Sequence, residues 1–127
     1  MEQSNYNLEE RTAKFGEETI EFCKSLGQDS ISKPLVSQLI RSGTSVGANY
    51  MEANGASSKN DFRNKIFICK KEIQETKHWL RMIKKYVPER GEEIDLLWKE
   101  AQELTLIFQK ITSSLKSPLK IETLQIQ

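Results

Sequence analysis

Residues 59–88, KNDFRNKIFICKKEIQETKHWLRMIKKYVP, carry the most regular pattern in the chain. Apolar or small residues recur in it at alternating steps of four and three, which places them on one face of an α-helix. Because a proline disfavours helical geometry in the residue before it, Pro88 ends this helix. The members of the apolar face are Phe62, Ile66, Cys69, Ile73, Thr76, Leu80, Ile83 and Val87.

Three further segments show the same spacing of apolar residues. Gly27 is placed to end the first helix, and Ser32 and Pro34 are placed to begin the second as its N-cap and an early helical residue. Short connections favour antiparallel neighbours. The sequence therefore predicts an all-α fold, an antiparallel up-down-up-down four-helix bundle. The predicted helices cover about 7–26, 33–54, 59–87 and 90–116 within a bundle of residues 1–118, followed by a tail at 119–127.

The composition predicts one domain without a membrane segment. The chain has 127 residues and a net charge of +1, and a chain of this length can bury its own core. No stretch approaches the ~20 apolar residues that span a bilayer. No basic segment followed by an apolar run opens the chain, as a secretory signal would. We therefore expect a cytoplasmic protein that makes no contact with a membrane.

The residues that most enzymes need are missing. His78 is the single histidine, and Cys23 and Cys69 lie too far apart in the sequence for a metal-binding pair. No phosphate-binding loop or nucleophile elbow is present. Glu75 and His78 match half of a di-iron element, but such sites need it twice, and the helical register places both on the outer face. No arginine lies four to six residues before His78, as a toxin-type RNase would require. The sequence predicts no enzyme, no cofactor and no metal.

The nearly neutral total charge conceals a basic third helix. Residues 59–90 carry ten Lys or Arg and four Asp or Glu, a net charge of +6, whereas residues 1–58 sum to −3 and residues 91–127 to −2. A basic helical stripe is typical of proteins that contact phosphates. The alternative is that the stripe pairs with acids of neighbouring helices, such as Glu18, Glu93 or Glu100. The predicted nucleic-acid-binding residues are Arg63, Lys70, Lys77, Arg81, Lys84 and Lys85.

Large apolar residues also lie outside the predicted core faces. Exposed apolar surface of this size usually marks association between proteins, so it predicts an interface in a homo-oligomer. The alternative is a wide core face, which globular helices often have. The predicted interface residues are Trp79, Met82, Tyr86, Trp98, Leu106 and Ile107.

The middle of the second helix is rich in small residues, and each interior glycine costs about 1 kcal/mol relative to alanine. Close approach of another helix would offset that cost at Gly43 and Gly47. The polar neighbours Arg41, Asn49 and Glu52 have two interpretations: ion pairs or caps inside one subunit that fix the bundle register, or a buried polar network at a subunit junction.

Three runs together resemble a known family. They are RSGTSVGANYMEA at 41–53, SSKNDF at 57–62 and KKEIQETKHWL at 70–80. They are similar to the four-helix-bundle proteins encoded in intervening sequences of bacterial 23S rRNA genes, a family related to the accessory variability determinant of diversity-generating retroelements. The resemblance covers roughly residues 8–115. It implies a ring-shaped homopentamer, and its retroelement relative binds nucleic acid and a reverse transcriptase. It carries over no catalytic residue.

These observations predict a non-enzymatic, ring-forming helical bundle that binds structured nucleic acid, RNA in preference to DNA, through its basic surface. The alternative is a protein-interaction adaptor, for example a partner of a reverse transcriptase, with no direct role in nucleic-acid binding. A third hypothesis, an oxygenase-like bundle that depends on a metal, requires bound iron.

Overall fold

The computed structural model of the protein describes residues 7–115, and it contains four long helices joined by short connections. Within these residues there is no β-strand, and each helix packs on its neighbours in the order α1–α2–α3–α4, with α4 returning to α1. The predicted antiparallel four-helix bundle is confirmed; the predicted tail at 119–127 lies outside the described residues. The helices are α1 (Leu8–Lys24), α2 (Ser32–Asn54), α3 (Lys59–Tyr86) and α4 (Gly91–Ser114), and a 3₁₀ turn at Pro88–Arg90 precedes α4.

The predicted apolar face of α3 forms the centre of the core. Ile66, Ile73 and Leu80 are fully buried, and Phe15 of α1 and Phe108 of α4 are buried with them. Full burial of each such side chain stabilises the fold by about 1.5–3 kcal/mol. The first and last residues of the face, Phe62 and Val87, are only partly buried against this core. The step of four and three residues therefore predicted the core side of α3 correctly.

The small residues of α2 bring its backbone close to α1, as their spacing predicted. A Cβ atom added at Gly43 would lie 3.0 Å from Cγ2 of Thr19, and one added at Gly47 would lie 3.4 Å from the carbonyl oxygen of Thr12. Thr19 is fully buried, and its hydroxyl donates to the Phe15 carbonyl at 2.9 Å, so it has little room to move. Close packing of α1 on α2 thus depends more on Gly43 than on Gly47.

We expect alanine to have opposite effects at these two glycines. Gly47→Ala should raise the free energy of unfolding by about 0.5–1 kcal/mol, because alanine favours a helix interior and finds ordinary contacts there. Gly43→Ala should not show this gain, because its methyl group crowds Thr19. Urea denaturation of both variants measures the difference. Equal stabilisation by the two substitutions would contradict the close contact at Gly43.

The connection before α2 is built by Asp29 and Ser32. The Asp29 carboxylate accepts hydrogen bonds from the backbone N–H of Ile31 (2.9 Å) and of Ser32 (2.8 Å). In return the backbone N–H of Asp29 donates to the Ser32 hydroxyl at 2.9 Å, which completes a capping box. The expected N-cap, Ser32, is therefore the reciprocal member of the box, and the carboxylate of Asp29 caps the helix. The backbone N–H of Ser32 and the Tyr86 hydroxyl, as donors, lower the pKa of Asp29 to about 2.

This cap predicts a pH-dependent contribution to stability. A pKa lowered from 3.8 means that the cap stabilises the fold fully above about pH 4 and loses that effect as the pH falls towards 2. Asp29→Ala should therefore lower the melting temperature by a constant amount at neutral pH, and the difference from wild type should shrink between pH 4 and pH 2. Calorimetry across this range tests it; a difference independent of pH would argue against an ionised cap.

Candidate nucleic-acid interface

Arg63 does not lie on an accessible surface. It is 8% exposed, and its Nη2 atom donates to the Asn60 side-chain oxygen at 3.0 Å. Its guanidinium carbon lies 6.0 Å from the centroid of the Phe67 ring, and its Nη1 atom is buried without a hydrogen-bond partner in the described chain. Asn60 and Phe67 of the same helix lie against its guanidinium, and this burial argues against the prediction that Arg63 contacts nucleic acid.

Two further predicted cations lie along the contact between α3 and α4. The Lys77 ammonium donates to the Gln102 side-chain oxygen at 2.6 Å and lies 5.2 Å from the centroid of the Trp98 ring. The Lys84 ammonium pairs with Asp95 at 2.9 Å. Pairing across helices, the alternative interpretation of the stripe, therefore holds for Lys84.

In the described part of the chain, the three acids expected to pair with the basic stripe do not pair with it. Glu100 accepts from Arg11 at 2.7 Å, and Glu93 accepts from Arg90. Glu18 has no ion pair within residues 7–115. Which acid meets which base depends on the register between helices, and periodicity within one helix does not reveal it.

A different stripe on α3 faces solvent. Its residues follow one another at steps of three and four, all are exposed, and none is a carboxylate. Lys71 belongs to it, although it is absent from the predicted set. It could have been found by taking the helix face opposite the apolar one rather than a face beside it. The stripe, called the outer stripe below, consists of Asn64, Phe67, Lys71, Gln74, His78, Arg81 and Lys85.

The last turns of α3 gather three cations, Arg81, Lys84 and Lys85, which we call the cationic cluster. Two hollows lie beside it. One of about 190 Å³ has Trp98 and Asp95 in its wall, and a wider one of about 500 Å³ has Met82 and Pro88. Lys84 and Lys85 also stabilise the negative end of the α3 dipole. Cations beside the 41% exposed ring of Trp98 can contact phosphates and a base at the same time.

Most acidic side chains lie on other helices. The net charge is +6 on α3, −2 on α1 and −3 on α4. The negative charge of α1 faces away from α3, because the two helices lie diagonally across the bundle, whereas the acidic α4 packs directly against α3. A polyanion would therefore be attracted to the side of α3 and repelled from the side of α1.

The predicted interface residues do not form one patch. Trp98 and Leu106 are exposed (41% and 55%), whereas Trp79 and Ile107 pack against the core, as the wide-core alternative expects. The Tyr86 hydroxyl donates to Asp29, and Met82 is half-buried. Other exposed apolar side chains are absent from the predicted set; they are Ile20, Ile31, Met51 and Leu96.

The polar residues of the α2 motif hold α2 against α3 within one subunit. Arg41 donates from Nη1 to Glu72 at 3.1 Å and from Nη2 to Glu75. Glu52 pairs with Lys65 at 2.7 Å. These contacts favour the interpretation of Arg41 and Glu52 as ion pairs that fix the bundle register.

Asn49, the other polar member of this motif, donates from its side-chain nitrogen to the Ser45 carbonyl at 2.9 Å. That bond lies within α2, so Asn49 does not connect two helices in the described chain.

Removal of these two ion pairs should lower the free energy of unfolding by different amounts. Glu72 is buried, so Arg41→Ala leaves a carboxylate without its partner and should lower the free energy of unfolding by about 1–3 kcal/mol. Adding Glu72→Gln should recover part of that loss. Glu52→Ala breaks a more exposed pair in the same helix contact and should cost less than about 1 kcal/mol. Urea denaturation compares the three; equal costs would contradict the difference in burial.

The groups most often used in covalent or metal chemistry are two thiols and one histidine in this chain. Residues 7–115 contain no group of three His, Cys, Asp or Glu that could hold a metal ion. Burial raises the pKa of the Cys23 thiol to about 11 and that of Cys69 to about 12, so neither is a ready nucleophile. His78 is exposed on the outer stripe, where its ring meets the edge of Trp79 at 4.9 Å. None of the described helices is long and apolar enough to cross a membrane.

The comparisons with known proteins agree with this fold. A crystal structure of a protein of unknown function from the S23 ribosomal protein family of Bacteroides thetaiotaomicron superimposes with a TM-score of 0.75 at 29% identity. The match covers 82% of this chain and 96% of that one. No curated protein matches the chain. The family profile described as "23S rRNA-intervening sequence protein" matches residues 5–110. The chain therefore belongs to the family of 23S rRNA-intervening sequence proteins.

Proposed function

We propose that this protein is a non-enzymatic helical bundle that assembles into a ring and binds nucleic acid, RNA in preference to DNA, through α3. The observation that carries the proposal is the outer stripe together with the cationic cluster. Exposed cations follow α3 there with no exposed carboxylate of α3 among them, and within the described chain the one acid that pairs with the cluster is Asp95 of α4. The proposed site keeps Arg81, Lys84 and Lys85 and leaves out the buried Arg63.

Charge and shape indicate how the site would bind. Arg81, Lys84 and Lys85 lie within four residues, about 6 Å along a helix, so neighbouring phosphates can contact all three. Binding through phosphates is salt-dependent and only weakly specific for sequence. Trp98 offers an aromatic face next to the cluster, so unpaired bases beside a duplex would add stacking energy. A structured RNA with loops fits this combination.

Self-association is the second part of the proposal. Exposed apolar side chains lie on several sides of the bundle, including Ile20 and Met51 between α1 and α2 and Leu106 on α4. Burial of such side chains between copies would be favourable. A ring, a pentamer by analogy with the family, would also repeat the cationic cluster and strengthen its field. We place this assembly in the cytoplasm.

Replacing the cationic cluster should weaken RNA binding specifically. In Arg81→Gln, Lys84→Gln, Lys85→Gln, three positive charges are removed while good helix formers remain. We expect affinity for a fluorescent RNA hairpin to fall at least about tenfold and the slope of log K against log salt to drop by about 2–3. The matched control is Lys33→Gln, Lys99→Gln, Lys110→Gln. It makes the same change in net charge at exposed lysines that have no ion pair within residues 7–115.

Fluorescence anisotropy at several salt concentrations measures both quantities, and circular dichroism verifies that both variants keep their helices. If the cluster and control variants lose the same affinity for RNA, net charge alone explains the loss, and a site on α3 is contradicted. The same titrations with a DNA hairpin of identical sequence test the preference for RNA.

The second candidate function, a protein adaptor such as a partner of a reverse transcriptase, rests on exposed Leu96 and Leu106 of α4, which lie away from the cationic cluster. Affinity purification with and without nuclease treatment separates the two candidates. Partners retained after digestion of RNA and DNA favour the adaptor, and partners lost on digestion favour nucleic-acid binding.

A further inference from the structure

A shallow apolar groove runs between α1 and α2 on the outside of the bundle. Its floor is made of small residues, among them Ala13, Gly16 and Ala48, and its volume is about 340 Å³. Ile20 and Met51 form its edges and are 38% and 62% exposed. The glycines that let α1 approach α2 also keep this floor low, so the groove follows from the way these two helices pack.

The groove is rimmed by negative charge. Glu9, Glu10 and Glu17 border it, and none of them has an ion pair within residues 7–115. An apolar floor with an acidic rim fits an apolar side chain that is flanked by cations.

The outer stripe of α3 carries such a combination in its first half. Phe67 is 38% exposed, which is unusual for a phenylalanine in a soluble protein. Lys71 follows it by one turn on the same face and has no ion pair within the described chain, and Lys70 lies beside it. Phe67 and Lys71 thus offer the complement of the groove on the far side of the same molecule.

The two surfaces also lie at the same height along the bundle. Gly47 of α2 packs against Thr12 of α1, and the adjacent Val46 carbonyl contacts the Cys69 sulfur of α3 at 3.6 Å. Thr12 and Cys69 are therefore level with each other. Phe67 and Lys71 each lie two residues from Cys69, about 3 Å along the axis, so both are level with the groove.

We propose that the α1–α2 groove of one copy receives Phe67 and Lys71 of a second copy. The inference rests on the self-association in the proposed function and names the surfaces that meet. The contact is heterologous, since different surfaces of the two copies touch, and equal heights let it repeat around an axis parallel to the helices. Arg81 lies ten residues beyond Lys71, about 15 Å further along α3, so the cationic cluster stays free for a polyanion.

Engineered cysteines test this arrangement directly. In a double variant Ala13→Cys, Phe67→Cys, each copy offers one thiol to each neighbour, and mild oxidation should produce a ladder of covalent multimers on a non-reducing gel. Neither single variant should crosslink, because like positions do not meet in a heterologous contact. The native Cys23 and Cys69 are buried and should stay reduced. The matched control, Ala13→Cys, His78→Cys, moves one thiol about 16 Å along the same stripe and should give no ladder.

The following outcomes would contradict the proposed contact between the groove and Phe67. Absence of a ladder in the first double variant, an equal ladder in the control, or dimers of Ala13→Cys alone would exclude it. A ladder that forms only in a variant truncated after Leu115 would indicate that residues 116–127 of this chain occupy the groove instead. Sedimentation of the wild-type protein separates the two proposals, because an oligomer without crosslinks overturns only the contact, whereas a monomer overturns self-association as well.

A charge exchange supplies an independent measurement. Glu10→Lys with Glu17→Lys should weaken association at least about tenfold, because it places lysines opposite Lys71 of the neighbour. Adding Lys71→Glu should restore part of it. No change in the first variant, or no recovery in the second, would rule out this pairing of surfaces.

Discussion

The buried face of α3 determines which side chains of that helix face solvent and are available for binding. Ile66, Ile73 and Leu80 are fully buried, and each contributes about 1.5–3 kcal/mol by leaving water. A rotation of α3 that turned the outer stripe towards the core would expose some of these side chains, and no gain at a surface cation, usually below about 1 kcal/mol, could compensate. The apolar face therefore fixes the phase of the helix, and the phase decides which cations face solvent.

The same argument explains which predictions from sequence succeeded. Helices and core follow from spacing within one segment, so all four helices were predicted within a few residues of their ends. The fate of a charged residue depends on the register between segments, which spacing does not contain. Lys84 meets Asp95 and Lys77 meets Gln102 because α3 and α4 run antiparallel at one particular offset. Lys71 lies outside the seven-residue series of cations that flanks the core, and the spacing of that series carries no information about it.

The α2 motif combines two constraints that look unrelated in the sequence. Gly43 and Gly47 set the distance of α2 from α1, whereas Arg41 and Glu52 set its position along α3. Small residues alone would permit α2 to slide, since a smooth surface packs at several offsets. The ion pairs at the two ends of this segment favour a single offset, and Glu72 is their buried member. The motif therefore specifies one arrangement of three helices.

The distribution of charge among the helices gives α3 room for two kinds of contact. Its 28 residues extend over about 42 Å, and Lys71 and Arg81 lie about 15 Å apart along it, beyond the Debye length at physiological salt. Screening at that separation means that acids facing Lys71 would barely reduce the field around Arg81 and Lys85. If all the cations of a helix lay at one level, an acidic neighbour and a polyanion would compete for the same side chains. In this chain the length of α3 removes that competition, and the acidic α1 helix lies on the opposite side of the bundle.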